Sequence, residues 1–306
     1  MPSHRDEVNF GELPQYGHQR PPRRQFGAAV LALLTFVSLL IVWRATAGDG
    51  NVTARSTVSP PTPGATTQPP AAEGTSQGPT LAPQLQTILD SGHPVYCGGG
   101  ALPMVALTFD DGPGPYTLAT VDTLKAAGAK ASFFLVGSLL DTLTNQQTSK
   151  AEAKFGDVGD HSWSHFGLAG ESRRTLLSEV VRPRNAIRRY TREQVLFFRP
   201  PWGSRDRALD AFVKSQGMIE MMWTIDTHDS EGAKADEIVN AIFNQVQPGS
   251  IILMHENRAT TRDALPAILQ VLADKGLQPV SLTTLLTKDP PTTSQLNHGL
   301  PACLGS

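Results

Sequence analysis

Met104-Val105-Ala106-Leu107-Thr108-Phe109-Asp110-Asp111-Gly112 is an almost unbroken apolar, β-prone run that ends abruptly in two carboxylates and a turn. Such a run suits a strand buried on both faces, as in a parallel sheet, and Asp-Gly-Pro is turn chemistry. The same grammar recurs four times. Phe155–Val158 precedes His161-Ser162-Trp163-Ser164-His165, and Val195–Phe198 precedes Arg199-Pro200-Pro201-Trp202-Gly203. Met218–Ile225 leads into Asp226-Thr227-His228-Asp229, and Ser250–Met254 ends at Leu253-Met254-His255. Each hydrophobic run reads as a strand, and each polar cluster as its C-terminal loop. In a parallel α/β sheet or barrel all strand C-termini open onto one face, so these five clusters are expected to converge there.

Helical spacing fills the intervals. Tyr116–Ala127 places Leu118, Val121 and Leu124 on one face and stops at Gly128. Ser172–Tyr190 reads as a helix kinked or broken at Pro183. Asp236–Val246 and Ala264–Ala273 are further helices, Ala131–Val136 and Leu277–Val280 further strands, and Leu282–Leu286 a short last helix. Strand–helix alternation predicts parallel β/α architecture. The segment from 95 to 290 is short for eight full β/α units, which predicts a distorted or incomplete (β/α) barrel.

The first 80 residues are different material. Arg20, Arg23 and Arg24 precede Phe26–Trp43, an apolar run without charge and just long enough to cross a bilayer. The expected organisation is a cytoplasmic segment 1–25, a transmembrane helix or uncleaved signal anchor 26–43, and a Pro/Thr/Ser-rich disordered linker 44–80. The catalytic domain 95–290 and a C-terminal tail 291–306 follow. The positive-inside rule puts the arginines in the cytoplasm and exports the remainder, giving a single-pass membrane protein with an extracytoplasmic domain. Cleavage at Ala45-Thr46-Ala47 and secretion is the alternative. The net charge of −2 gives no reason to expect nucleic-acid binding. The two cysteines, Cys97 and Cys303, bracket the catalytic region; in an oxidising compartment they are candidates for a disulfide, with two free thiols the alternative.

The polar residues divide by chemistry. His161 and His165, four apart, are expected on one face of a helical turn, and with Asp111 they make a two-His, one-carboxylate set with coordination positions to spare. Zn²⁺, Co²⁺, Mn²⁺ or Fe²⁺ would suit it. Asp110 and Asp111, adjacent at a strand end, can take two different roles. Arg199 can hold a carboxylate bidentately or form an ordinary ion pair. Asp229 and His255 can pair, which would raise the imidazole pKa. His228 reads as a rim residue.

In these five clusters the chain resembles the polysaccharide deacetylase family, also called the NodB-homology domain or carbohydrate esterase family four. The resemblance covers about 95 to 290. It implies a distorted (β/α) barrel and a divalent metal, usually zinc, held by Asp111, His161 and His165. It makes Asp110 the catalytic base, with Arg199 holding it, and His255 the catalytic acid tuned by Asp229. It places Leu253 against the acetyl methyl group and a backbone N–H near Pro201–Trp202 at the oxyanion. The chain departs from the family pattern at Ser230, where the fourth motif usually has Trp, and at Trp202, where the third commonly has Tyr. The implied function is removal of N-acetyl groups from N-acetylhexosamine polymers such as peptidoglycan or chitin-type oligosaccharides. An O-acetyl esterase acting on xylan-type polysaccharides is one alternative, and a non-catalytic carbohydrate-binding relative another. A purely structural wall protein would have no use for the metal ligands.

Overall fold

The computed structural model describes residues 81–305. The expected cytoplasmic segment 1–25, membrane helix 26–43 and linker 44–80 lie outside them. Among the described residues, no helix is long and apolar enough to cross a membrane.

Eight strands form one sheet: β1 (Met104–Gly112), β2 (Ser132–Leu135), β3 (Asp157–Asp160), β4 (Phe197–Phe198), β5 (Ile219–Glu220), β6 (Ile225–Asp226), β7 (Ile251–His255) and β8 (Gln278–Val280). The order is β5-β4-β3-β2-β1-β7-β6, neighbouring strands are all parallel, and β8 joins the lower half of β1. Eleven α-helices surround it: α1 (Pro83–Ser91), α2 (Thr117–Ala126), α3 (Leu143–Phe155), α4 (Arg173–Leu176), α5 (Arg182–Thr191), α6 (Arg207–Ser215), α7 (Ala235–Gln245), α8 (Ala259–Asp274), α9 (Leu282–Lys288), α10 (Thr293–His298) and α11 (Leu300–Cys303). The result is a curled parallel α/β sheet with the character of a distorted barrel.

The expected single strand Met218–Ile225 is instead two short ones. Its first half pairs with β4 and its second with β7, so both edges of the sheet belong to one bent segment. Met221 and Met222 make the crossing: Met221 N–H donates to the Phe198 carbonyl and Met222 N–H to that of Val95. Met221-Met222-Trp223 stays apolar through the bend, and no turn residue marks it, which is why the sequence reads as one element. The strand predicted at Phe155–Val158 is displaced likewise. Phe155 closes α3, and Gly156 starts the turn into β3, where a Cβ would lie 2.1 Å from the Ala131 carbonyl oxygen. On α2 the buried set is Thr117, Thr120, Val121 and Leu124, and Leu118 is exposed. Threonine, not leucine, completes the i, i+3, i+4, i+7 stripe. The break expected at Pro183 takes the form of a π-helical turn, Leu177–Val181, with the proline in the first turn of α5.

Alternation along the strands sorts the core. Val105, Leu107 and Phe109 pack outward against the helices with Phe133, Leu135, Ile252 and Met254. Met104 and Ala106 point to the other side, with Phe134, Phe197, Met221 and Ile251, over Leu85 and Ile88 of α1 and Leu282, Leu285 and Leu286 of α9. Each fully buried Phe or Leu contributes about 1.5–3 kcal/mol. Along β1 the inner row continues Thr108, Asp110, so it is apolar at the bottom and polar at the top. Parallel register places Thr108 beside Leu253 and Asp110 beside His255 on the same face.

The segment expected to be a tail, 291–306, carries α10 and α11. Cys303 in α11 forms a disulfide with Cys97, the Cα atoms 5.9 Å apart. The bridge joins the lower entry of the sheet to its last helix.

Candidate active site

The end of β1 and the loops that leave β3, β4 and β6 carry unusual backbone. Asp111, Ser162, His165, Trp202 and His228 all have positive φ, between 55° and 67°, and of the described non-glycine residues with positive φ only Arg192 lies away from the clusters. Strain of this kind costs about 1–3 kcal/mol per residue and persists where the surroundings over-determine it. Here each strand must turn at once: Asp160 ends β3 and its Oδ1 accepts from the Ser162 N–H at 2.9 Å. His161–His165 is therefore a looped turn and not the helical turn that the four-residue spacing predicts. The two rings nevertheless meet, their centroids 5.0 Å apart.

Asp111 Oδ1 lies 3.1 Å from His165 Nε2 and 3.7 Å from His161 Nε2. The three ligand atoms are all within 4.8 Å of one another, and Asp111 Oδ1 is buried without a hydrogen-bond partner. An orphaned carboxylate oxygen facing two imidazole nitrogens is what a cation site requires. The set fits a divalent ion. His161 Nδ1 is bonded to the Arg199 carbonyl oxygen at 2.8 Å, which turns Nε2 toward Asp111. Burial holds His161 below its ordinary pKa against the pull of Asp110 and Asp111, favouring the neutral, ligating form. Burial alone would raise Asp111, but the His165 contact and the nearby imidazoles hold its carboxyl well below the usual range.

Asp110 faces the same space. Its Oδ1 accepts from Arg199 Nη1 at 2.8 Å, and its Oδ2 lies 3.6 Å from His161 Nε2. Arg199 is fully buried, and its other donors reach Thr108 Oγ1 and the carbonyls of Met221 and Met222. Its guanidinium carbon is 4.2 Å from the centroid of the Phe134 ring. This is a fully satisfied buried ion pair and not a surface bridge; removing one partner of such a pair costs about 3–5 kcal/mol.

His255 stands across from Asp110. Asp229 Oδ1 lies 2.7 Å from its Nδ1, and Asp229 Oδ2 accepts from the His255 N–H, also at 2.7 Å, and from Thr261 Oγ1. Burial lowers the His255 pKa, but the bond to Asp229 and its charge overcome that and raise it, with Asp110 and Asp111 adding to the effect. Asp229 is lowered despite burial, through His255 and Thr261.

Leu253 is buried two residues before His255 on the same face of β7. Pro201 is buried and Trp202 is 75% exposed, its ring edge-on to His165 at 4.8 Å between centroids. The Trp202 N–H donates to no acceptor among the described residues, whereas the Gly203 and Ser204 N–H groups are used. His228 stays at the exposed rim with Asp226 and Glu231.

Sequence reasoning did not find the support around this set. Asn257 Nδ2 donates to Asp111 Oδ2 at 3.2 Å, reserving Oδ1 for the two histidines. Glu256, between His255 and Asn257, turns into the core, bonds Thr117 Oγ1 and faces the buried Glu152. A Cβ on Gly112 would sit 1.6 Å from Glu256 Oε1, so a larger residue after Asp111 would have to displace the buried Glu256 carboxyl. Burial pushes Glu256 up to about 7, and burial with the Glu256 charge pushes Glu152 well above its ordinary value. The contiguity of Glu256 and Asn257 with His255 was the one available signal.

Residues 100–220 match the family described as polysaccharide deacetylase. A peptidoglycan-N-acetylglucosamine deacetylase of Bacillus cereus is 33% identical over 187 residues, covering 59% of this chain and 67% of that protein. The peptidoglycan-N-acetylmuramic acid deacetylase PdaC of Bacillus subtilis is 33% identical over 184 residues, 60% of this chain but only 38% of its own length. Among solved structures, a CE4 family pseudoenzyme from Bacillus anthracis superposes with a TM-score of 0.60 at 28% identity, covering 66% of this chain and 70% of that one.

Proposed function

Because the chain belongs to the polysaccharide deacetylase family, we propose that it is a metal-dependent hydrolase removing N-acetyl groups from the N-acetylhexosamine units of a wall glycan such as peptidoglycan. One observation carries this reading. The metal set, the Asp110–Arg199 pair and the Asp229–His255 pair face one space with no polar position missing. That matters because a pseudoenzyme shares the fold.

Asp111, His161 and His165 would hold the ion, most simply zinc, which supplies Lewis acidity at the acetyl carbonyl. Asp110, oriented by Arg199, takes the proton of the attacking water through Oδ2. The free Trp202 N–H donates to the oxyanion as negative charge develops there. Asp229 keeps the Nδ1 proton of His255, so that Nε2–H is presented to the departing nitrogen. The raised His255 pKa suits this, since an amine leaves only when protonated. Leu253 closes the apolar side where the acetyl methyl would lie. The N-terminal apolar run 26–43 and its arginines support a membrane-tethered, extracytoplasmic placement, with which the Cys97–Cys303 disulfide agrees.

The test is acetate release by the full chain from N-acetylglucosamine oligomers, peptidoglycan and acetyl-xylan, before chelation, after it, and after return of Zn²⁺. Release from the first two, lost with the chelator and regained with zinc, is the expected result. Preference for acetyl-xylan would move the reaction to O-acetyl esters, and no release from any substrate would overturn the catalytic reading.

A further inference from the structure

Residues 171–193 hold seven arginines and three glutamates in a chain whose net charge is −2. Arg173, Arg174, Arg182, Arg188, Arg189 and Arg192 are exposed; Arg184 instead turns toward α6 and donates to the Gln216 carbonyl. None of the seven has a carboxylate within ion-pair distance among the described residues, whereas Arg199, Arg205 and Arg262 each do. Of the three glutamates, Glu179 is engaged with Ser164. The helix packed alongside, α3, adds exposed Lys150 and Lys154, and its only acid, Glu152, is buried.

The arginines are ordered. Arg182 to Arg189 is seven residues, two helical turns, so both lie on one line. Arg174 to Arg182 is eight, but the π turn Leu177–Val181 lies between them and uses one extra residue. It thereby brings Arg174 onto the same line. The interval between successive arginines is then about 10 Å. The row also reaches the loop that carries the two histidines: the Arg182 guanidinium carbon lies 3.3 Å from the centroid of the Trp163 ring, and Trp163 lies between His161 and His165 in sequence. A line of uncompensated guanidinium groups, one of them packed on the loop that carries the two histidines, suits a linear ligand with acidic groups at a similar interval, since arginine binds carboxylates through paired N–H donors.

We infer that the Arg174–Arg182–Arg189 row binds the substrate strand itself, and that this strand is an acidic glycan carrying about one carboxylate per disaccharide. The inference rests on the deacetylase reading above. The regular interval along one line favours a linear glycan, because a lipid surface needs basic charge without any such interval.

The experiment compares two oligomers of equal length with the full chain: neutral N-acetylglucosamine units, and the same backbone with a lactyl ether carboxylate on alternate sugars. The wild type is expected to show the lower KM for the acidic oligomer, with the advantage shrinking as salt is added. Arg174→Gln/Arg182→Gln/Arg189→Gln should raise that KM by roughly tenfold, the yield of three exposed ion pairs. Its KM and kcat on the neutral oligomer should stay at wild-type values, which also reports that the variant is folded. An unchanged ratio of the two KM values in the variant overturns the inference. So does a variant that loses only binding to phosphatidylglycerol vesicles, which would assign the row to a lipid surface. Absence of acetate release from both oligomers would count against the deacetylase reading alone; calorimetric binding of the same two oligomers would still decide the row.

Discussion

Replacing Asp229 with Asn tests the acid most directly. Asp229 meets His255 twice, at Nδ1 and at the backbone N–H, and also receives the Thr261 hydroxyl. An amide can satisfy only part of this. If its oxygen faces Nδ1, its NH₂ confronts the His255 N–H donor. If its NH₂ faces Nδ1, that nitrogen must be an acceptor and imidazolium is lost. Either way the charge that raises the His255 pKa is gone, while Asp110 and Asp111 remain as weaker contributors. Loss of an opposite charge at this distance lowers a pKa by about 1–3 units. A group raised in the fold is protonated until pH climbs through its raised value, so the alkaline limb of kcat/KM should move down by about that amount. On the alkaline side of the optimum the rate should fall roughly 10- to 1,000-fold, with far less loss on the acid side. The stability that protonated His255 draws from Asp229 is fully present below its unfolded pKa and lost as pH rises through the folded one. The pH–stability curve should therefore flatten in the same variant. The assay is kcat/KM for an N-acetylglucosamine oligomer from pH 5 to pH 10, with zinc content measured alongside. An unmoved alkaline limb with full zinc content would refute the assignment of His255 as the acid.

Asp110→Asn should keep metal and lose about two to four orders of magnitude in kcat, measured by acetate release beside metal analysis. Asn257→Ala frees Asp111 Oδ2 and should weaken zinc binding by about 10- to 100-fold, read by competition with a chelating dye. Glu256→Gln addresses a buried acid pushed up to about 7 from an ordinary 4.5. Its contribution to stability is full below the ordinary value and lost as pH rises through about 7, so the variant should lose less stability than wild type across that window, followed by urea unfolding.

The five clusters were legible because each sits where a buried strand must turn, and such turns restrict residue choice. Convergence of Asp110, Asp111, His161, His165, Arg199, Asp229 and His255 followed from parallel topology alone. Less legible was anything decided across the barrel. Glu256 and Glu152 look like surface residues in sequence, yet they are buried against each other because Gly112 leaves room. Helix α3 is hidden because it buries only Thr148, Ser149 and Glu152 and so offers no apolar stripe to find, whereas α6 buries Leu209, Phe212 and Val213 at i, i+3 and i+4 and was open to the same periodicity that marks the other helices. The bend at Met221–Met222 was hidden because the chain stays apolar through it and no turn residue marks it.

That bend has a mechanical consequence. The Met221 and Met222 carbonyls clamp Arg199, and a few residues later the same chain enters β6, which lies beside β7 and leads to Asp229. The anchor of Asp110, the proposed base, and the anchor of His255, the proposed acid, are thus two marks on one short ruler of polypeptide. Adding or deleting a residue there would change the gap across which a proton must be taken on one side of the scissile bond and returned on the other. The length of this crossing, more than its side chains, is what the chemistry cannot let drift.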